Sequence, residues 1–547
     1  MGVIGEMRSY LLEKASGSVS KEALKNAPDN QPVVGVRFGR TSQSIYYYAL
    51  AALRPCITAE TADAFDADYG ELLKSTKIPY NERQESIKRY RGEASPALEV
   101  FGLQLRKPLN GLYDIDLFWL PSKSIETTPL LFGNNVVSTS NQILKGLSRG
   151  QVYYRHENYY SHNDVDAQPI RITVLNLFKK GTRPHALIDQ LQSGLKRYGF
   201  NSSLLSNDLE PSNLPDTQDP AGRAQLDQLL NDLMVVPTDI FFVFLPTDDR
   251  GADNSESGSL YHRIYSKLLR RGIASQFIYE DTLQNAREPR YLLNQIIPGV
   301  LAKLGNQPFI LAEPLRIADC FLGLDVARVA KQRLAGSMNT CAGVCLYGSQ
   351  GQFMHARTEG AVVEGEEIPP RFLELLLPAN ELRGKTVLIY RDGWFRGQEV
   401  TNLLNWASAI DANFILVECV KSGVPRLYEW NYKTRLTDAG RTTIYASNLS
   451  APSRGLALCL SDREGILVTT KVSERVGLSR PLRLRVRAEG HQVHINDVLD
   501  ATLKLTLLHH GALKPPRLPM VLHGAHRLAD LRLNGVFFGE ASRQFWL

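Results

Sequence analysis

The side chains with most capacity for chemistry in this 547-residue chain are two carboxylates carried by apolar runs and one histidine downstream of them. Lys385 to Gln398 reads KTVLIYRDGWFRGQ. Thr386, Val387, Leu388, Ile389 and Tyr390 form a short β-rich run that predicts a strand buried on both faces. That strand delivers Arg391, Asp392 and Gly393 to its end, and the ends of central strands are where ligands of α/β sheets gather. An isolated Asp-Gly is otherwise an ordinary turn. Upstream, Ile317 to Arg328 reads IADCFLGLDVAR, a second strand-like run with Asp325 inside it. Burying an unpaired carboxylate costs several kcal/mol, so Asp325 requires a cation, a metal or a dense set of hydrogen bonds. Pro519 to Asp530, PMVLHGAHRLAD, begins like a strand and runs into a helix with His526 on its first turns. A helical histidine taken alone is ordinarily a packing residue. A fourth feature is cationic: in the helix expected over Ser259 to Arg271, Arg263, Lys267, Arg270 and Arg271 fall at i, i+4, i+7 and i+8. They share one face with no intervening acid, the footprint of an anion site.

The elements that must position these groups follow from pattern. Between residues 168 and 310, apolar runs such as PIRITVLNL, DIFFVFLP and ASQFIY alternate with amphipathic stretches such as PHALIDQLQSGLKRYG and YLLNQIIPGVLAKLG. That alternation predicts a parallel sheet with helices on its faces. After Asp325, Asn339 to Tyr347 and Phe353 to Val363 predict a hairpin around Ser349 to Gln352. A helix starting at Pro369 follows, then the Asp392 strand, a helix over Gln398 to Ile410 and a strand over Asn413 to Val420. Arg483, Arg485 and Arg487 alternate along a further strand and therefore point to one face. Residues 1 to 125 read as a smaller α+β region with a first strand at Pro32 to Gly39, helical spacing over Ala59 to Leu73, and a basic, aromatic stretch at Tyr80 to Gly92.

Length allows about three or four domains, and 43% hydrophobic content supports ordinary buried cores. Net charge is only +6, so any nucleic-acid site must come from local basic clusters. No apolar run approaches membrane-spanning length and the first residues lack a signal-peptide core, which makes a cytoplasmic location the expectation. The six cysteines are scattered without paired spacing and read as reduced core residues.

GLDVAR, YRDG and AHRLADL, in that order, resemble the two aspartate motifs and the closing motif of the PIWI domain of prokaryotic Argonautes. ILVECVKSG, PRLYEW and SRPLRLRV are similar to later segments of that domain, and PLLFGN with KGLSRGQVYY is similar to the linker before the middle domain. The similarity runs from about Gln168 to Leu547. It implies an α/β architecture: a small N-terminal region (1–125), a linker (126–167), a Rossmann-like MID domain (168–310) and a ribonuclease H-like PIWI domain (311–547). Too little chain precedes the linker for a PAZ domain, so a compact form without PAZ is expected.

The resemblance further implies an endonuclease that binds a short 5′-phosphorylated guide, DNA or RNA, and cuts the paired DNA or RNA target, in defence against invading nucleic acid. Two-metal phosphodiester hydrolysis needs clustered oxygen ligands, which suit Mg²⁺ or Mn²⁺. Asp325 and Asp392 would be the shared carboxylates and His526 the nitrogen ligand. The family's glutamate is Glu359 by spacing, or Glu366 or Glu367 by motif, with Glu367 favoured. Arg263, Lys267, Gln276 and Lys303 fit the guide 5′-phosphate residues. The short spacing from Lys267 to Gln276 leaves Tyr261 or Tyr265 as alternatives at the first position, and the carboxylate of Leu547 would join a metal ion at that phosphate. Lys421, Arg426, Arg480, Arg483, Arg485 and Arg487 would line a duplex channel. The alternative is a catalytically inactive guided binder that recruits or activates a separate effector protein.

Overall fold

A computed structural model describes the chain apart from residue 1 and residues 16–17, 37–44, 51–79, 106–116, 120–124, 160–167, 179–183, 206–208, 210–211, 213–218, 252–258, 287, 331–336, 362–366, 369, 437–441, 472–478, 535 and 537–539. The expected helix over Ala59 to Leu73 and the candidate Glu366 lie outside the described residues. The chain divides into Met1–Glu93 and Ala94–Leu547. In the first unit a three-stranded antiparallel sheet (Gly2–Val3, Pro32–Val36, Tyr46–Ala49) is accompanied by helices Ile4–Lys14 and Ser18–Asn26. The basic stretch at Tyr80 belongs to a helix, Tyr80–Glu99, whose ion pairs Lys88–Glu85 and Arg89–Glu93 lie along its own surface.

In the second unit the expected βα alternation is present. Strands β1 (Ile170–Asn176), β2 (Ser202–Leu204), β3 (Ile240–Leu245) and β4 (Ala274–Tyr279) form an all-parallel sheet in the order β4-β3-β1-β2. Helices α1 (His185–Arg197), α2 (Pro220–Leu233), α3 (Leu260–Arg270) and α4 (Pro289–Lys303) accompany it. Because successive strand residues face opposite sides, Phe241, Val243 and Leu245 pack with α2 and α3, while Phe242 and Phe244 pack toward α1 and α4. Every side chain of β3 is fully buried, as a continuous apolar run in a parallel sheet requires.

The remaining chain builds a second, ten-stranded sheet. Its strands are β5 (Cys320–Ala330), β6 (Ser337–Gly348), β7 (Phe353–Ala361), β8 (Thr386–Asp392), β9 (Asn413–Val420), β10 (Leu456–Ser461), β11 (Glu464–Leu467), β12 (Leu482–Val486) and β13 (Glu540–Ala541). The order is β13-β7-β6-β5-β8-β9-β12-β11-β10, closed at the far edge by Leu117–Trp119. The centre is parallel, β5 to β8 to β9, and the flanking pairs are antiparallel. Helix α5 (Glu399–Ala409) covers one face over Leu322, Leu324, Val387 and Ile389. Helices α6 (Ile495–Leu505) and α7 (Met520–Leu533) belong to the core that takes Phe321, Leu388 and Tyr390 on the other face. The strand-like start expected at Pro519 is helical instead: Pro519, extended at ψ 148, caps a helix that begins at Met520. The alternation expected of Arg483, Arg485 and Arg487 holds, since Leu482, Leu484 and Val486 are the buried set of β12. Among the described residues no helix is long and apolar enough to cross a membrane.

Candidate active site and anion pocket

Period two decides which carboxylates meet. On β5, Phe321 faces α7 and Leu324 faces α5, so Asp325 projects toward α7. On β8, Leu388 and Tyr390 also face α7, and Asp392 follows them. Both aspartates therefore emerge on one face from adjacent parallel strands, and α7 closes over them. Two glycines permit that closure: a Cβ built on Gly323 would stand 2.1 Å from the Val521 carbonyl oxygen, and one on Gly343 would stand 2.5 Å from that of Ala525. With no side chain at either place, the helix lies on β5 and β6 and its His526 comes down onto Asp325.

His526 Nδ1 stands 2.7 Å from Asp325 Oδ2 and 3.7 Å from Asp392 Oδ2. The ligand atoms of the three residues lie within 4.8 Å of one another, and among the described residues no other Asp, Glu, Cys or His joins them. Burial raises the Asp325 carboxyl, but the His526 hydrogen bond and charge outweigh it and hold it below the ordinary carboxylate range. Asp392 is pushed up, first by burial and then by the Asp325 charge, with Lys421 opposing. The Asp325 hydrogen bond raises His526 against the effect of burial. Two carboxylates of split affinity for protons beside a half-exposed imidazole form an oxygen-and-nitrogen donor set that fits a hard divalent cation.

A buried pair fixes the end of β8. Arg391 turns to the α5 face, where its Nε donates to Glu399 Oε2 at 3.2 Å while Nη1 donates to the Asp392 carbonyl at 2.8 Å. Glu399, fully buried, also accepts from Ile368 N and Arg396 N at 2.9 and 3.1 Å. Breaking such a pair on one side strands the other charge and costs about 3–5 kcal/mol. Substituting Glu399 with Gln should therefore lower the melting temperature and loosen Asp392, a loss measured by thermal unfolding.

Of the candidate glutamates, Glu359 does not approach the aspartates. It pairs with Ala342 on β6, which pairs with Val326 on β5, and directly opposed residues share a face. Glu359 thus lies two strands away on the α5 face. Glu367 is docked at the start of α5, where Oε1 accepts from Gln398 N at 2.8 Å and the carboxylate crowds Gly397, whose φ is +47°. Lys421, by contrast, places Nζ 2.5 Å from Asp392 Oδ2. Arg483 and Arg485 lie 5.9 and 6.0 Å over Trp394, which sits two residues beyond Asp392.

The cationic candidates separate into two groups. Gln276 and Lys303 come together at the β4 edge of the parallel sheet, Lys303 Nζ donating to Gln276 Oε1 and to the Ser275 carbonyl, each at 2.9 Å. Burial lowers the Lys303 ammonium to about 7, and the Arg527 charge adds to that. Arg527 Nη2 donates to Tyr261 Oη at 2.8 Å, and Tyr261 stacks on Tyr265 with ring centroids 5.6 Å apart. Tyr265 Oη donates to the Phe545 carbonyl at 3.1 Å. Leu547 lies beside Gly511, which packs against Gly299 one helical turn before Lys303. Arg263 and Lys267 are not brought to this cluster. They occupy the opposite flank of α3, where both contact Asp227 of α2: Arg263 Nη2 at 2.5 Å, Lys267 Nζ at 3.4 Å to the carboxylate and 2.9 Å to its carbonyl. The physical reason is helical phase: residues 261 and 263 differ by about 200° around the axis. Tyr261 and Tyr265, not Arg263 and Lys267, occupy the flank facing α7.

Adjacent residues of α7 thus serve two places, His526 the carboxylates and Arg527 the tyrosine and lysine cluster. A Rossmann-like layer followed by a ribonuclease H-like sheet with this triad defines a MID–PIWI architecture. No family model matches the chain. Among curated proteins, the Argonaute of Aquifex aeolicus is 23% identical over 544 residues, covering 98% of this chain and 70% of that protein. That of Pyrococcus furiosus is 24% identical over 305 residues, covering 52% of this chain and 36% of its own length. Among solved structures, A. aeolicus Argonaute aligns with a TM-score of 0.64 at 20% identity over 99% of this chain and 70% of that one. Clostridium butyricum Argonaute, bound to a guide DNA and a target DNA, aligns with a TM-score of 0.69 at 16% identity over 100% and 71%. The resemblance to prokaryotic Argonautes that the motifs carry is borne out, and the fold is the Argonaute fold.

Proposed function

We propose that the chain is a nucleic-acid-guided endonuclease: the MID domain, residues 168–310, anchors the 5′-phosphate of a short guide, and the PIWI domain, 311–547, cuts the paired target. The observation that carries the reading is the convergence of Asp325, Asp392 and His526 on the α7 face. These three would hold Mg²⁺ or Mn²⁺, which supplies electrostatic stabilisation and an activated water to phosphodiester hydrolysis. The chain's own part is positional. Asp325, kept ionised by His526, and Asp392, held by the Arg391–Glu399 lock, are fixed before any target arrives. Guide and target would be DNA or RNA, the A. aeolicus relative having been solved with externally bound siRNA and the C. butyricum one with DNA. Defence against invading nucleic acid is the role such a guided cutter would serve. The purified chain, given 5′-phosphorylated guide, labelled complementary target and Mn²⁺, should release two fragments. Intact target under every combination of guide and target chemistry would sink the cutting step. Glu367, docked on Gln398, favours the second reading, a guided binder that recruits a separate effector; guide-dependent target binding without fragments would establish it.

For the guide end, we assign the phosphate to Lys303, Gln276 and Arg527, with Tyr261 beside them and the Leu547 carboxylate positioned near α4 for an ion. Arg263 and Lys267, offset by Asp227, would contribute long-range charge. Lys303 has its ammonium lowered to about 7 by burial, so at pH 8 it is largely neutral until an anion enters. A 5′-phosphate should restore its proton, and phosphate affinity should fall as pH rises above about 7. Calorimetry at pH 8 in buffers of different ionisation heat should show uptake of about one proton per 5′-phosphorylated guide and none for a 5′-hydroxyl guide. Identical buffer dependence for the two guides would remove the assignment.

A further inference from the structure

Lys421 stands in the candidate centre, and the two-carboxylate reading does not use it. It is the first residue after β9, and Asp392 pairs with Cys419 two positions before it. Its ammonium stands 2.5 Å from Asp392 Oδ2, the same oxygen that His526 Nδ1 approaches to 3.7 Å. Asp392 is one of the carboxylates that would hold a divalent ion, and a cation is already paired with it. Lys421 also lines a cavity of about 200 Å³ with Asp392, Trp394 and Arg396, and its side chain is one-third exposed, so the flexible stem has room to leave. No third carboxylate stands among the described ligands. The charge balance at Asp392 is therefore set by a lysine where a second acid would have drawn ions in.

We propose that Lys421 is a built-in competitor for the divalent ion: it pairs with Asp392, a carboxylate that would hold the ion, and releases it when target phosphate draws the ammonium into the cavity. This rests on the metal-centre reading above and adds an order of events to it. Before a duplex arrives, the lysine holds ion affinity down. A backbone phosphate beside Trp394 and Arg396 offers the ammonium a second anion, Asp392 is released, and ion and duplex then bind cooperatively. Cooperativity of this kind is commonly about 5- to 150-fold.

The test is Mn²⁺ affinity of the full chain without nucleic acid, by calorimetry, for wild type, Lys421→Met, Lys421→Arg and Asp392→Ala. Lys421→Met, which keeps the side-chain volume, should bind Mn²⁺ about tenfold or more tightly than wild type. Lys421→Arg, which keeps the cation, should stay close to wild type, and circular dichroism checks that each variant is folded. Mn²⁺ binding that is lost in Asp392→Ala yet equal or weaker in Lys421→Met than in wild type overturns the competitor role alone. Binding indifferent to Asp392 overturns the metal centre, and the competitor role with it.

Discussion

Asp392→Ala should reduce metal-dependent target cutting by at least about a thousandfold, equivalent to roughly 4 kcal/mol of lost transition-state stabilisation, while guide binding stays within about twofold of wild type. Asp392 is the carboxylate on which His526 and Lys421 both converge, and among the described residues no acid besides Asp325 joins the cluster to replace it. Lys303 and Gln276, the residues proposed for the guide end, hold one another without it. The accompanying stability change has a sign that a merely structural residue would not show. The Asp392 carboxyl is raised by burial and by Asp325. A group whose acidity is weakened by folding destabilises the native state while ionised, and the penalty is relieved as pH falls through the raised value. Near neutral pH, then, the alanine variant should melt no lower than wild type despite losing activity, Lys421 turning to solvent. A variant that loses cutting only in proportion to a lowered melting temperature would show Asp392 to be structural. Cutting that survives in a folded variant would end the proposed mechanism.

The same residues show how far the sequence reaches. Asp325 is legible from cost alone: a carboxylate inside an apolar strand must have a partner, and His526 is that partner. The β-rich run before Asp392 gave both the strand and its buried centre. What could not be read is phase between elements. Arg263 and Lys267 share a helical stripe free of acids, yet the acid that offsets them, Asp227, comes from α2. Tyr261 finds Arg527 only because the packing of the two layers brings α7 beside α3, a contact that neither local pattern encodes. The glutamate question turned on strand register: Glu359 has suitable spacing in sequence, but pairing through Ala342 to Val326 commits it to the α5 face. Lys421 was legible as a basic residue and not as the neighbour of Asp392, since adjacency across a parallel pair depends on register.

Gly323→Ala should be the most damaging single methyl group in the PIWI domain. A glycine inside a strand pattern marks either a bulge or a close approach of another backbone, and here it is the approach of α7. The added Cβ would meet the Val521 carbonyl oxygen at 2.1 Å, its carbon at 2.3 Å and Leu522 N at 2.6 Å. These are backbone atoms of a helix whose Val521, Leu522, Ala525 and Leu528 are fully buried, so no side chain can rotate to make room. Either α7 lifts from β5 or the strand bends, and overpacking of this kind costs about 1–3 kcal/mol or more. Relief by lifting moves His526 off Asp325, which leaves a carboxylate only 5% exposed without its partner and adds the penalty of an uncompensated buried charge. Arg527 moves with it, away from Tyr261. The variant should therefore lose Mn²⁺ binding and 5′-phosphate preference together, although Gly323 touches neither ligand set. Gly384→Ala provides the control for a glycine with open space around it: φ is +71° and nothing lies within 4 Å of the added Cβ, so its cost is backbone strain of about 1–2 kcal/mol and both binding functions persist. A Gly323→Ala protein that keeps wild-type Mn²⁺ affinity would mean that α7 does not set the distance between His526 and Asp325.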